Sequence, residues 1–267
     1  MTSPPLIDLR GKKALVTGIA NNRSIAWGIA QQLHAAGAEI GVAFLPMNDK
    51  VEAKVRTLTT PLEPSLFVPC DVTKPEEITG LADSIRDQWG GIDIFVHCLA
   101  FADRSDLEGN FSATKKAGFE KALDISAYSL IEMTGALRPL FNEGASVVTM
   151  SYIGSSRVVP NYNVMGVAKA ALEASVRYLA SELGPDGVRV NAVSAGPIRT
   201  LASSAIGGIQ TMIKHVESSA PLRRTVTQIE VGNAASFLLS SAGSGITGQV
   251  LYVDGGYEIM GTPADMQ

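Results

Sequence analysis

The stretch Lys13-Ala14-Leu15-Val16-Thr17-Gly18-Ile19-Ala20-Asn21-Asn22-Arg23-Ser24-Ile25-Ala26 changes character three times within fourteen residues. Lys13–Thr17 is a branched, apolar run of strand length. Gly18 follows at once, and a glycine there permits a tight backbone turn. Ser24 stands where a helix can begin, so the free N–H groups and positive end of that helix can meet a pyrophosphate. Ala26 is small enough to let the helix lie close to the strand, the role of the third glycine in the dinucleotide fingerprint. An ordinary strand–turn–helix with a serine cap and no ligand fits the same letters, because the familiar glycine triplet is absent.

Outward from this stretch the pattern repeats. Further strands are expected at Glu39–Phe44, Ser65–Cys70, Ile92–His97, Ser146–Met150, Arg189–Val193 and Val250–Val253. Between them Ile78, Leu81, Ala82, Ile85 and Trp89 recur at helical spacing, as do Val176, Leu179, Ala180 and Leu183. Strand–helix alternation of this length implies a parallel sheet wrapped on both faces. Right-handed crossovers then give an α/β fold with a single doubly wound parallel sheet of the Rossmann type. No linker or composition shift marks a second domain, so residues 1–267 are read as one dinucleotide-binding and catalytic unit. The segment 198–216 breaks the rhythm. It follows Pro197, holds Gly207 and Gly208, and spaces Ala202, Ala205, Ile206, Ile209 and Met212 as one apolar side of a short helix. It is expected to be a mobile cover over the site.

Bulk composition narrows the function. Of 267 residues 46% are hydrophobic and 18% charged, which suits a two-sided core and argues against disorder. The net charge of −4 gives no support for nucleic acid or an anionic membrane as partner. The longest apolar runs are strand-sized, so no membrane span is expected. The first eleven residues show no basic-then-apolar signal pattern, and the cytoplasm is the expected compartment. Cys70 and Cys98 each end an apolar run and read as buried free thiols. His34, His97 and His215 are scattered, without partners at metal-ligand spacing, so no metal is expected, and His97 reads as a satisfied core histidine.

Two further places can carry chemistry. Asp71, just after the third strand, can accept a hydrogen bond from an adenine amino group, or Asp71-Val72-Thr73-Lys74-Pro75 can be a turn and helix cap; both readings can hold together. Tyr162 and Lys169 are seven residues apart, nearly two helical turns, so both would project from one face. A tyrosine can donate to a developing oxyanion, and a nearby ammonium stabilises its anion and can hold ribose hydroxyls. An amphipathic helix with a half-buried tyrosine and a surface lysine has the same spacing.

Taken together, Gly18-x5-Ser24-x-Ala26, Tyr162-x6-Lys169, Arg189-Val190-Asn191-Ala192-Val193-Ser194-Ala195-Gly196-Pro197-Ile198-Arg199-Thr200 and Val253-Asp254-Gly255-Gly256 resemble the enoyl-acyl-carrier-protein reductases of the short-chain dehydrogenase/reductase superfamily. The resemblance runs from Gly11 to Gly256. Ordinary members of that superfamily carry Tyr-x3-Lys, but Met165 stands four before Lys169, and Tyr152 stands where their catalytic serine would fall.

The resemblance implies NADH-dependent reduction of the carbon–carbon double bond of a trans-2-enoyl thioester on acyl carrier protein, by a cytoplasmic homotetramer. The second strand ends Phe44-Leu45-Pro46-Met47-Asn48 with neither a ribose-binding acid nor a phosphate-binding arginine, and it is the resemblance that makes NADPH the less favoured reductant. Tyr162 would stabilise the enolate oxygen, Lys169 would hold the nicotinamide ribose, and Tyr152 would line the acyl pocket. Gly18, Ser24 and Ile25 would contact the cofactor phosphates and ribose, and Asp71 with Val72 the adenine. Leu99, Ile198, Arg199, Thr200, Leu201 and Ala202 would pass along the cofactor, while Ala102, Met165 and Ile206 would face the substrate. Relatives often carry basic residues on the covering segment to meet the acidic carrier. Here Lys214 is the only lysine or arginine in its helix-like part, so Arg104, Arg199 and Arg223 become the docking candidates. Two rival readings remain: a carbonyl or alcohol dehydrogenase of the same superfamily, which the missing Tyr-x3-Lys disfavours, and a non-catalytic dinucleotide sensor, which would need only the phosphate turn.

Overall fold

The computed structural model describes residues 6–201, 203 and 207–261. Seven strands form one sheet: β1 (Lys13–Thr17), β2 (Glu39–Phe44), β3 (Leu66–Pro69), β4 (Ile92–His97), β5 (Phe141–Ser151), β6 (Arg189–Ala195) and β7 (Val250–Val253). Their order is β3-β2-β1-β4-β5-β6-β7, and every neighbouring pair is parallel. Parallel strands need crossovers, supplied by α1 (Ile25–Ala35), α2 (Asp49–Thr59), α3 (Pro75–Trp89), α4 (Lys116–Leu123), α5 (Ser129–Leu137), α6 (Val164–Leu183), α7 (Ile209–Ser219) and α8 (Gln228–Leu239).

Period-two alternation sends each strand's side chains into two cores. Leu15 of β1 and Phe95 of β4 meet Leu81, Ile85, Leu130, Leu172 and Val176 of α3, α5 and α6 on one face. Ala14, Val16, Ile94 and Val96 meet Ile29, Leu33, Val55, Val231 and Leu238 of α1, α2 and α8 on the other. The five positions at helical spacing between Ile78 and Trp89 are all buried on α3.

Four strands have the expected boundaries; β3 is one residue shorter at each end, β6 runs two residues further to Ala195, and β5 begins at Phe141 rather than Ser146 and ends at Ser151. Its added residues Asn142, Glu143 and Gly144 are exposed, and the register with β4 slips between Ile92 and Ile94. Polar letters in an irregular strand leave no apolar alternation to read.

Chain order reverses where β1 and β4 lie side by side. In open sheets of this kind a crevice forms beyond the carboxyl ends of those strands.

Candidate active site

A cleft of about 830 Å³ opens at that position, lined by the ends of β1, β2, β4, β5 and β6 and by α7. At its floor Gly18 turns with φ +85°, and a Cβ there would lie 2.0 Å from the Cys98 carbonyl oxygen. Ser24 is the residue before α1, as expected, but its hydroxyl does not cap that helix. It accepts the N–H groups of Ala20 at 3.0 Å and Asn21 at 3.1 Å, folding the turn back on itself. The helix ladder starts with the Trp27 N–H on the Ser24 carbonyl. The N–H groups of Ile25 and Ala26 therefore have no acceptor among the described residues, and both residues border the cleft. Unpaired donors at a helix N-terminus beside a roomy cleft fit a pyrophosphate.

From there the cleft runs between Leu45, Met47, Val51 and Val72, an apolar slot suited to a flat heterocycle. Asp71 borders it while accepting from the Thr73 N–H at 3.0 Å and the Thr73 hydroxyl at 2.8 Å. That bond makes Asp71 a turn former, whereas the residue before α3 is Lys74, with no side-chain cap. Cys98 lines the cleft rather than the deep core, and burial pushes its thiol up to about 12. His97 is fully buried between the hydroxyls of Thr149 and Ser129, each 2.9 Å away, and burial lowers it to about 3. It is a neutral core histidine, as read.

At the other end Tyr152, Tyr162 and Lys169 come together on the cleft wall. Tyr162 does not sit on α6 as its spacing suggested; it stands in the turn just before the helix. Its neighbours Asn161 (φ 61°) and Asn163 (φ 38°) are both left-handed, a conformation asparagine tolerates better than most residues. The pair of asparagines was the missed signal. Tyr162 is 7% exposed and packs with Leu107 and Met165. Its ring meets that of Tyr152 edge-on, centroids 5.0 Å apart. Gly154 makes room, since a Cβ there would lie 2.4 Å from the Tyr162 ring. The Tyr162 hydroxyl has no hydrogen-bond partner among the described residues. Burial, then the neighbouring Tyr152 and Glu173, push its phenol well above the usual range, so it stays a donor. Tyr152 is likewise raised by burial and donates to the Met212 sulfur of α7 at 2.8 Å.

Lys169 is buried, donates to the Met150 carbonyl at 2.7 Å, and is lowered by burial to about 8. It is not the surface lysine of the bland alternative.

Along the far wall runs the chain after β6. Ile198, Thr200 and Leu201 line the cleft, but the exposed Arg199 does not. Thr200 and Ser203 exchange hydrogen bonds of 2.8 and 3.0 Å. Ala202, Ala205 and Ile206 lie outside the described residues. Leu99, Ala102 and Met165 all border the cleft, with Gly18, Ser24, Ile25, Asp71 and Val72.

The helix expected from Ala202 begins only at Ile209, with Gly208 (φ 80°) preceding it. The glycine pair is therefore a helix start, and the cost of glycine within a helix does not arise. Ser126 was not anticipated. It sits in a π-helical turn, Asp124–Tyr128, joining α4 to α5, and its hydroxyl bonds both the N–H and the carbonyl of Phe101 on the cleft rim. No glycine or proline announces that turn. Among the described residues no group of three or more histidines, cysteines or carboxylates could hold a metal, and no helix is long and apolar enough to cross a membrane.

Residues 18–258 match the family model described as enoyl-(acyl carrier protein) reductase. The NADH enoyl-[acyl-carrier-protein] reductase FabI of Nostoc sp. is 67% identical over 257 residues, covering 96% of this chain and 100% of that protein. The Bacillus cereus enoyl-acyl carrier protein reductase, solved with NADP+ and indole naphthyridinone, superposes with a TM-score of 0.93 at 48% identity, over 96% of this chain and 100% of that one. The Anaplasma phagocytophilum reductase, solved with NAD, gives 0.92 at 42% identity, with 99% of each chain covered.

Proposed function

Since the chain belongs to the enoyl-(acyl carrier protein) reductase family, we propose that it reduces the double bond of trans-2-enoyl thioesters on acyl carrier protein, with NADH as reductant, in the last reductive step of fatty acid elongation. The observation that carries this reading is a Tyr162 hydroxyl with no partner among the described residues, in the same cleft as the buried Lys169. A sensor has no use for that pair.

Bound nicotinamide supplies a hydride to the β-carbon of the substrate. The turn at Gly18, the α1 N-terminus and the slot beside Val72 hold the dinucleotide, with Asp71 at the adenine end and Leu99 and Ile198 along its length. Lys169 holds the nicotinamide ribose. As the hydride arrives, negative charge moves to the thioester oxygen, and the Tyr162 hydroxyl donates to it. A ketone reductase has its oxyanion on the atom next to the hydride acceptor. An enoyl thioester places it farther off, which suits a tyrosine displaced along the chain from the ordinary position. Tyr152, Ala102 and Met165 bound the acyl group, and the surrounding apolar wall excludes water.

The carrier's acidic surface meets Arg199. Arg104 is engaged with Glu108, and Arg223 with the Ser218 carbonyl, whereas Arg199 is exposed and forms no ion pair among the described residues. The solvent-facing Tyr128 and Ile131 offer apolar surface for subunit contacts within a cytoplasmic homotetramer.

The deciding experiment follows NADH absorbance with a crotonyl thioester and, separately, an acetoacetyl thioester. Oxidation with the first alone is expected; oxidation with the second alone overturns the reading in favour of a carbonyl reductase.

Lys169→Ala should weaken NADH binding on the order of tenfold, the size of a lost charged hydrogen bond, and lower turnover with it. Lys169→Arg is no safe substitute, because a planar fork replaces a compact ammonium. Calorimetry showing wild-type affinity in the alanine variant removes the ribose role.

The segment 198–216 closes over bound substrate. Among its described residues the anchors are Tyr152 on Met212, the Asn161 amide on the Gly207 carbonyl at 3.0 Å, His215 edge-on to Tyr257, Ile198 against the core, and the buried Ile209 and Val216. Such a segment gains order chiefly from what it covers. Hydrogen exchange across Gly207–Val216 should be fast in the free protein and slow with NAD+ and an acyl-site inhibitor. Equal, strong protection in both states makes it a fixed wall.

A further inference from the structure

Two side chains on one face of α6 anchor to consecutive residues at the end of β5. Lys169 donates to the Met150 carbonyl, and one turn later Glu173 accepts a short hydrogen bond from the Ser151 hydroxyl. Met150 and Ser151 both line the cleft, and Ser151 is buried. Glu173 forms no direct ion pair with Lys169 among the described residues, and it is half-buried.

The titratable groups that act on the ammonium or line the cleft with it come from four elements. His97 and Cys98 stand at the end of β4, Tyr162 in the turn before α6 with Tyr152 beyond it, and Glu173 on α6 itself. His97 is neutral near pH 7, the Cys98 thiol is protonated, and both tyrosines keep their protons. Of these groups Glu173 brings the carboxylate that acts on the ammonium.

We propose that Glu173 is a positioning residue for Lys169: hung from the Ser151 hydroxyl, its carboxylate is the counter-charge that keeps the buried ammonium a donor to the cofactor. This rests on the reading of Lys169 as the ribose holder. Burial moves the lysine down to about 8, and Cys98 and then Glu173 act against that movement. Removing the carboxylate charge must therefore carry Lys169 lower still, and cofactor affinity must fail at a lower pH.

Glu173→Gln tests this, because glutamine still accepts from Ser151 but carries no charge. NADH dissociation constants of the full-length enzyme, measured by fluorescence titration between about pH 6 and 9.5, should rise through about 8 in the wild type. In Glu173→Gln that rise should move down by about one pH unit. The affinity loss is then several-fold near pH 8 and absent near pH 6. Glu173→Asp should restore the wild-type profile. Ser151→Ala, which frees the carboxylate without discharging it, should shift the profile less. An unmoved profile in Glu173→Gln overturns the proposal, as does a loss of affinity equal at every pH, or an aspartate variant that behaves like the glutamine one. Lys169→Met separates the two layers. If it keeps the wild-type profile, the ribose reading of Lys169 fails and the proposal falls with it; if it flattens the profile while Glu173→Gln leaves it unmoved, only the role of Glu173 fails.

Discussion

Tyr162→Phe should lower turnover by about a hundred- to a thousandfold, the range for losing one oxyanion donor, while NADH binds nearly as in the wild type. The ring has its own reasons to stay. It fills the space above Gly154, packs with Leu107 and Met165, and meets Tyr152 edge-on. The hydroxyl has no hydrogen-bond partner among the described residues, so phenylalanine strands no donor or acceptor there, and stability should change by less than about 1 kcal/mol. A hydroxyl without a partner among the described residues, on a largely buried ring that lines the cleft, is open to a ligand's hydrogen bond. If that ligand atom acquires charge only during hydride transfer, the effect falls on turnover rather than on cofactor affinity. Tyr152→Phe is the instructive contrast. Its hydroxyl is already engaged with Met212, so its loss should loosen α7 before it touches the chemistry. Unchanged steady-state rates for Tyr162→Phe with an acyl-carrier substrate would remove Tyr162 from the mechanism.

Much of this site is legible in the letters because strand and helix periods are local. Leu15 and Phe95 go to one core and Val16 and Val96 to the other by alternation alone, and that alternation places Gly18 and Cys98 at the same sheet edge. What escaped depends on torsion or on distant partners. Spacing put Tyr162 on the helix, but two left-handed asparagines put it in a turn that faces the same cleft. Ser24 sits where a cap belongs, yet its hydroxyl serves Ala20 and Asn21. Arg199 lies inside a motif whose neighbours line the cleft and is itself exposed outside it. The link from Glu173 to Ser151 spans 22 residues, and no local pattern encodes it.

Gly18→Ala should be the most damaging single substitution in the cleft. Two costs add there. A non-glycine residue at φ +85° is strained by roughly 1–2 kcal/mol. The new methyl would also lie 2.0 Å from the Cys98 carbonyl oxygen and 2.8 Å from its carbon, deep inside contact distance. Relief would need β1 and β4 to separate, and they cannot do so cheaply. They pair through Ala14, Leu15 and Val16 against Ile94, Phe95 and Val96, and Thr17 ties the strand ends by donating to the Val96 carbonyl at 3.0 Å and accepting the Cys98 N–H at 3.2 Å. A total of about 4–5 kcal/mol is expected, in the exceptional range for one substitution and a large share of the stability of an ordinary domain. Gly11→Ala isolates the torsional part: Gly11 has φ +76° with nothing within 4 Å of a built Cβ, so only about 1 kcal/mol should be lost. Denaturant melts of the two variants measure the difference, and calorimetry with NADH shows whether any folded Gly18→Ala protein retains the turn that presents the Ile25 and Ala26 N–H groups. Near-equal melts with intact binding would mean that the turn can back away from β4. The tight apposition of the two strand ends would then not be what holds the phosphate turn in place.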